Sequence, residues 1–130
     1  GITIGSFASV SLDPPLVGFF PGVRSQSWAA IRESGRFCVN VIGSHQEEAC
    51  WRFAKEGDDK FAGIEWLPSA GGCPVLPGSI AWIDCEIDSE TVMGDHTCVV
   101  GRVTSLDHAE EVQDAMVFFR GKVSSVKHGG

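Results

Sequence analysis

The sequence has no closely spaced cysteines. Five stand at positions 38, 50, 73, 85 and 98, no two closer than twelve residues, which leaves neither a zinc knuckle nor a Cys-x-x-Cys redox pair. An odd, scattered set of thiols fits a reducing compartment, and a cytoplasmic location is expected. No apolar run approaches the ~18 residues that a membrane helix needs, and no secretory leader opens the chain, so neither spanning nor export has support. Positive charge is also scarce: ten Lys and Arg face seventeen Asp and Glu, a net charge of -7. That field repels nucleic acid and anionic membranes at long range, although a local cluster of donors can still hold one small phosphate. Neither a Gly-x-Gly-x-x-Gly fingerprint nor a P-loop occurs, which argues against a Rossmann-type nucleotide site. No Ser-His-Asp or Cys-His spacing stands out, and hydrolysis is left without positive support.

What is present is a chain of 130 residues, 43% hydrophobic and only 21% charged, with 16 glycines. These values predict one turn-rich, β-heavy domain over residues 1–130, with a sizeable core. The pattern predicts strands over residues 2–11 and 16–20, separated by Asp13-Pro14-Pro15, and a strand over 36–42 buried on both faces, with Cys38 in the core. A short helix from Trp28 to Ser34 follows a serine-rich start and is capped by Gly35. Ser44 and Glu47 have the spacing of a capping box for a second helix running to Glu56, anchored by Trp51 and Phe53. A short strand is expected over 64–67 and a loop over 68–78. The clearest alternation sets Ala81, Ile83, Cys85 and Ile87 on a core face and Trp82, Asp84, Glu86 and Asp88 on a wet one. Gly94-Asp95-His96 turns that strand into the next, over 97–103, and 117–119 reads as a last strand. Residues 107–114 are acidic and read as solvent-facing, 127–130 as a frayed tail. Strands without a recurring strand-helix-strand rhythm favour a small closed or split antiparallel barrel over a doubly wound sheet. The chain opens already inside a strand-like pattern at Ile2 and Ile4, so residues are expected to precede Gly1.

Two stretches have the make-up of a ligand site. In the first, Ser6, Ser9 and Ser11 alternate with apolar residues before a double proline, giving a polar strand edge with small residues where a flat ligand can approach the main chain. The alternative is an ordinary solvated edge strand. In the second, Arg24, Ser25 and Ser27 stand where a helix begins, so free amides and the positive end of the helix dipole would favour an anion. The alternative there is a plain serine cap beside a solvated arginine. His96 at a strand entrance either touches a ligand or bonds within its own turn.

Four separated segments then meet in one order: Ser6-Phe7-Ala8-Ser9-Val10-Ser11-Leu12-Asp13-Pro14-Pro15-Leu16-Val17; Arg32-Glu33-Ser34-Gly35-Arg36-Phe37-Cys38-Val39-Asn40-Val41; Asp59-Lys60-Phe61-Ala62-Gly63; and Gly94-Asp95-His96. In these the chain resembles the flavin reductase-like family, which includes the reductase components of two-component flavin-dependent monooxygenases. The resemblance implies a mainly β, antiparallel FMN-binding split β-barrel with two short helices, usually a homodimer. It implies hydride transfer from NADH or NADPH to FMN or FAD, with reduced flavin leaving for a monooxygenase. A flavin-binding electron carrier of the same fold and a split-barrel oxidase acting on a small amine are the alternatives. By the same resemblance, Ser6, Phe7, Ala8, Ser9 and Ser11 lie along the isoalloxazine, and Arg24, Ser25, Ser27 and Trp28 near the flavin phosphate. His96 lies near the flavin or nicotinamide, and Phe119 and Arg120 close beside the ring. Where the family commonly has an aromatic residue two places after Gly121, this chain has Val123. The family's first helix and strand would stand ahead of Gly1.

Overall fold

Alternating apolar and polar residues on either side of Gly94-Asp95 build a long hairpin from β6 (Ala81–Met93) and β7 (His96–His108). The computed structural model describes residues 1–55 and 60–110, together with the backbone of 115–119 and 122–126. Gly94 adopts φ 66, a left-handed conformation that glycine takes without steric cost, and this lets a two-residue loop close the hairpin. The remaining elements are β1 (Phe7–Leu12), β2 (Pro15–Phe19), α1 (Gln26–Ser34), β3 (Arg36–Val41), a 3-10 turn at Ser44–Gln46, α2 (Glu47–Ala54), β4 (Leu67–Pro68), β5 (Pro74–Val75), β8 (Ala115–Phe119) and β9 (Lys122–Val126).

Five strands form one antiparallel sheet in the order β1-β2-β7-β6-β3, while β4-β5 and β8-β9 pair separately. The expected mainly β, antiparallel architecture with two short α-helices is the one observed, and among the described residues β1 and β3 are the two sheet edges. No helix of the described residues is long and apolar enough to cross a membrane.

The core lies where α1 crosses the sheet. Val17, Phe19, Trp28, Phe37, Cys85 and Val99 form one buried cluster. Its rings meet edge to face, Phe19–Trp28 at 5.4 Å and Phe19–Phe37 at 5.2 Å between centroids. Gly101, at the centre of β7, lies under this cluster, and a Cβ there would stand 2.6 Å from Phe37 Cζ and 3.1 Å from Cys85 Cβ.

Several elements differ from the sequence pattern for identifiable reasons. The first strand begins at Phe7 rather than residue 2, because Thr3 is held by α2: its N–H donates to the Phe53 carbonyl (3.1 Å) and its hydroxyl to the Cys50 carbonyl (2.6 Å). The double proline does not end a ladder; Asp13-Pro14, joined by a cis peptide, turns β1 into β2, and Pro15 pairs with Leu12. At the start of the second helix the side chain that reaches back is Gln46, not Glu47: the Gly43 N–H donates to Gln46 Oε1 at 2.8 Å, and a 3-10 turn precedes the helix. Within α2, Phe53 is buried, whereas Trp51 is 39% exposed. Cys38 is half-buried, and Phe37 alone of β3 is fully buried. Of the expected 64–67 strand only Leu67 is paired, within β4 (Leu67–Pro68), and β7 extends into the acidic stretch as far as His108. The strand expected at 117–119 lies within β8; β9 had no counterpart in the pattern, and residues 127–130 lie outside the described residues.

Asp84 is the clearest departure. The alternation put it on a wet face, yet it is 3% exposed, because the 69–73 loop covers that face. Its carboxylate accepts from Ser69 Oγ, from Ser105 Oγ at 2.9 Å and from the Gly71 N–H at 3.2 Å. Burial works against the charge, but these donors outweigh it and hold the carboxyl below its ordinary value of 3.8.

Two consequences can be measured. Gly101→Val forces a branched side chain into a filled core, so we expect about 1–3 kcal/mol of lost stability in urea unfolding. A depressed carboxyl stabilises the fold above its unfolded pKa, and that contribution drains away as pH falls through the lower folded value. Asp84→Asn should therefore lower the urea midpoint at neutral pH and flatten its fall below about pH 4.

Candidate functional site

Strand β1 has a partner on one side only. β2 pairs with it from Phe7↔Phe19 to Leu12↔Pro15, and among the described residues no strand pairs with its other edge. Ser6, Phe7, Ala8 and Ser9 are exposed, Ser11 is half-buried, and Val10 and Leu12 are 55% and 89% exposed. The register slips between Ser9 and Ser11, so Val10 forms a bulge, and glycine at 18 leaves the room that its side chain needs. Ser6, Ala8 and Ser9, small side chains beside Phe7, thus border a row of backbone N–H and C=O groups that no strand among the described residues pairs.

The register also brings the start of β1 next to the helix entrance, since Phe7 faces Phe19 and the chain continues through Pro21 and Gly22 to α1. That entrance is stitched to the hairpin tip. Thr97 N–H donates to the Pro21 carbonyl (2.8 Å), Val23 N–H donates to the Asp95 carbonyl (3.0 Å), and Gly22 bridges His96. Ser25 is the N-cap, its hydroxyl accepting from the Trp28 N–H at 3.1 Å, and Gly35 closes the helix at φ 75, so both caps read from the sequence are present. The first-turn amides of Gln26 and Ser27 have no intrahelical acceptor, by the geometry of any helix.

Two cations flank this turn. Arg24 is exposed and, among the described residues, has no carboxylate partner. Lys60 reaches in from the chain beyond α2, its amino group donating to Ser27 Oγ at 2.7 Å and to the Phe53 carbonyl at 3.2 Å. Together with Gly22, Ser25, Gly94 and Asp95 they line an open cleft of about 890 Å³. Lys60 was missed as a site residue: its segment reads as a tight connection, and only the tertiary contact with Ser27 shows where the charge goes.

His96 lies beside this cleft with its side chain 53% exposed, and Nδ1 is 2.7 Å from Asp95 Oδ1. That contact lowers the Asp95 carboxyl from its ordinary value. Trp28 is placed differently from a ligand-facing residue: it is 1% exposed, its ring belongs to the core, and its indole Nε1 donates to Glu90 Oε1 at 2.8 Å. Phe119 ends β8, where the backbone alone is described, and Arg120 lies outside the described residues.

The description "flavin reductase like domain" belongs to a family model that matches residues 1–127, and the chain belongs to that family. It is 46% identical over 127 residues to the reductase subunit HsaB of a flavin-dependent monooxygenase from Rhodococcus jostii, covering 98% of this chain and 65% of that protein. The chain thus spans about two-thirds of that relative's length. Nitrilotriacetate monooxygenase component B from Mycobacterium thermoresistibile superposes with a TM-score of 0.90 at 44% identity, over 95% of this chain and 70% of its own. The NADH:FAD oxidoreductase SgcE6 of Streptomyces globisporus, in complex with NAD and FAD fragments, gives a TM-score of 0.87 at 31% identity, over 95% and 74% of the two chains.

Ser25→Ala removes the acceptor for the Trp28 amide, and we expect a loss of about 1 kcal/mol, read as a lower midpoint in thermal or urea unfolding.

Proposed function

We propose that this chain carries the flavin and nicotinamide chemistry of an NAD(P)H:flavin oxidoreductase, passing a hydride from NADH or NADPH to FMN or FAD and supplying reduced flavin to a partner monooxygenase. The observation that carries the reading is the juxtaposition of a serine-bearing strand edge, without a pairing strand among the described residues, with a cation-flanked helix start, in a chain of the flavin reductase-like family. The nicotinamide supplies the hydride and the flavin accepts it, chemistry that needs alignment more than a dedicated acid or nucleophile.

On this reading, Ser6 to Ser11 of the open edge form the platform for the isoalloxazine. Ala8 and Ser9 are small enough to let a flat ring reach the main chain, and backbone N–H groups between 8 and 11 offer donors to charge developing on the reduced ring. Arg24, Lys60, Ser25, Ser27 and the first-turn amides of α1 take the phosphate, a local positive site within an acidic protein. Of Trp28 this leaves a supporting role, because its indole is in the core. His96 borders the same cleft through the hairpin tip and is assigned to the flavin or nicotinamide edge, and Phe119 and Arg120 are assigned beside the ring. The functional molecule is assigned as a cytoplasmic homodimer.

Mixing the protein with FMN and NADH, then with NADPH, under anaerobic conditions tests the activity. Bleaching of the flavin absorbance is expected with at least one nicotinamide; no bleaching with either, in a protein that binds flavin, would select an electron carrier instead. Ser9→Trp places a bulky ring on the platform and should raise the FMN dissociation constant at least about tenfold with an unchanged circular dichroism spectrum. Unchanged affinity would refute the placement of the ring.

A further inference from the structure

Glu90 stands near the tip end of β6, opposite Val99, far along the chain from the serine-rich helix start. One of its carboxylate oxygens, Oε1, accepts two hydrogen bonds from α1: from Trp28 Nε1 at 2.8 Å and from Arg32 Nε at 2.9 Å. The Arg32 guanidinium also lies over the Trp28 ring, 5.9 Å from its centroid. Trp28 is itself a first-turn residue, and its backbone N–H is the one capped by Ser25. The same residue therefore joins the cap, the aromatic core and the β6 carboxylate.

The start of α1 is thus held at two points on one hairpin. At the tip, backbone bonds from Val23 and Thr97 fix the entering chain. Two residues along β6 from Val92, the partner of Thr97, Glu90 fixes the turn that carries the free amides. Without that carboxylate, Trp28 Nε1 would be a buried donor lacking its acceptor, a penalty the helix can relieve only by shifting or rotating. Any such shift moves the amides of Gln26 and Ser27 and the Ser27 hydroxyl that Lys60 contacts.

We propose that Glu90 is a positioning residue for phosphate recognition: through Trp28 and Arg32 it sets where the first turn of α1 points, and so how strongly the protein distinguishes a phosphorylated flavin from an unphosphorylated one. The proposal rests on the reading that this turn takes the flavin phosphate. It assigns Glu90 no contact with the flavin.

The test compares FMN with riboflavin, which has the same ring and no phosphate. Dissociation constants, and KM and kcat with NADH, are measured for both flavins on the wild type and on Glu90→Leu. A preference of the wild type for FMN is required by the underlying reading, and equal affinity for the two flavins would overturn that reading itself. Given the preference, Glu90→Leu should raise the FMN dissociation constant and KM by about tenfold, with riboflavin binding and kcat changed by less than about twofold. An equal change for both flavins, or no change for either, would overturn the positioning role while leaving the phosphate site standing. If Glu90→Leu does not fold, as judged by circular dichroism, Glu90→Gln replaces it: the amide oxygen still accepts from Trp28, and the charge facing Arg32 is gone. A fall of at least about twofold in the FMN-to-riboflavin preference then supports the proposal, and an unchanged preference overturns it.

Discussion

The edge-to-face packing of Phe19, Trp28 and Phe37 is the constraint on which the rest of the structure depends. Phe19 comes from β2, Trp28 from α1 and Phe37 from β3, three elements that follow one another in the chain. β2 and β3 are not neighbours in the sheet; β7 and β6 lie between them. The helix that joins them must cross that gap, and the ring cluster is what pins it there. Full burial of an aromatic side chain contributes roughly 1.5–3 kcal/mol, and a well-placed ring pair about 0.5–1.5 more, so three interlocked rings outweigh the weak intrinsic stability of a nine-residue helix. Glycine at 101 belongs to the same arrangement, since the Phe37 ring fills the space that a Cβ would need.

Chemistry is segregated around this core. Cys38 and Cys85 have their thiols pushed up to about 12, first by burial and then by the Asp84 carboxylate. Such thiols are protonated at neutral pH and have little of the thiolate character that nucleophilic or redox reactions require. Asp84 itself is occupied by Ser69, Ser105 and Gly71, which makes it a strut between the 69–73 loop and the sheet. The exposed polar groups gather elsewhere, along β1 and around the entrance of α1.

The features legible in the sequence were those set by neighbours in the chain. The β6–β7 hairpin followed from its alternation and turn glycine, and the ends of α1 from Ser25 and Gly35, because a cap bonds within its own turn. What escaped depended on distant segments. Asp84 alternates like a surface carboxylate, and only the loop folding over it makes it interior. Trp28 sits among polar residues at a helix start, and its burial is decided by Phe19 and Phe37. Lys60 has no local role that would single it out, since its acceptors are Ser27, the end of α2 and the Gly1 carbonyl. The strand–turn–strand of the candidate platform was legible, whereas the Val10 bulge was not, because register is a property of the pair.

That bulge bears on how β1, which among the described residues has one edge without a pairing strand, can resist further pairing. An unpaired strand invites further pairing, and proteins usually blunt such edges with charge, proline or a bulge. Phe-Ala-Ser-Val-Ser-Leu carries no charged residue, so composition gives this edge little protection. The bulge at Val10 interrupts it in its middle, and at its end the Asp13-Pro14 turn carries the chain into β2. Between Phe7 and Ser9 neither device acts, and there the side chains are small or aromatic and the backbone is exposed. On the proposed reading, a flat heteroaromatic ring would lie on that short segment with its face to the apolar side chains and its edge to the backbone groups. On that reading, the Val10 bulge would limit the ring to the end of β1 nearest the α1 entrance, where Arg24 and Lys60 stand.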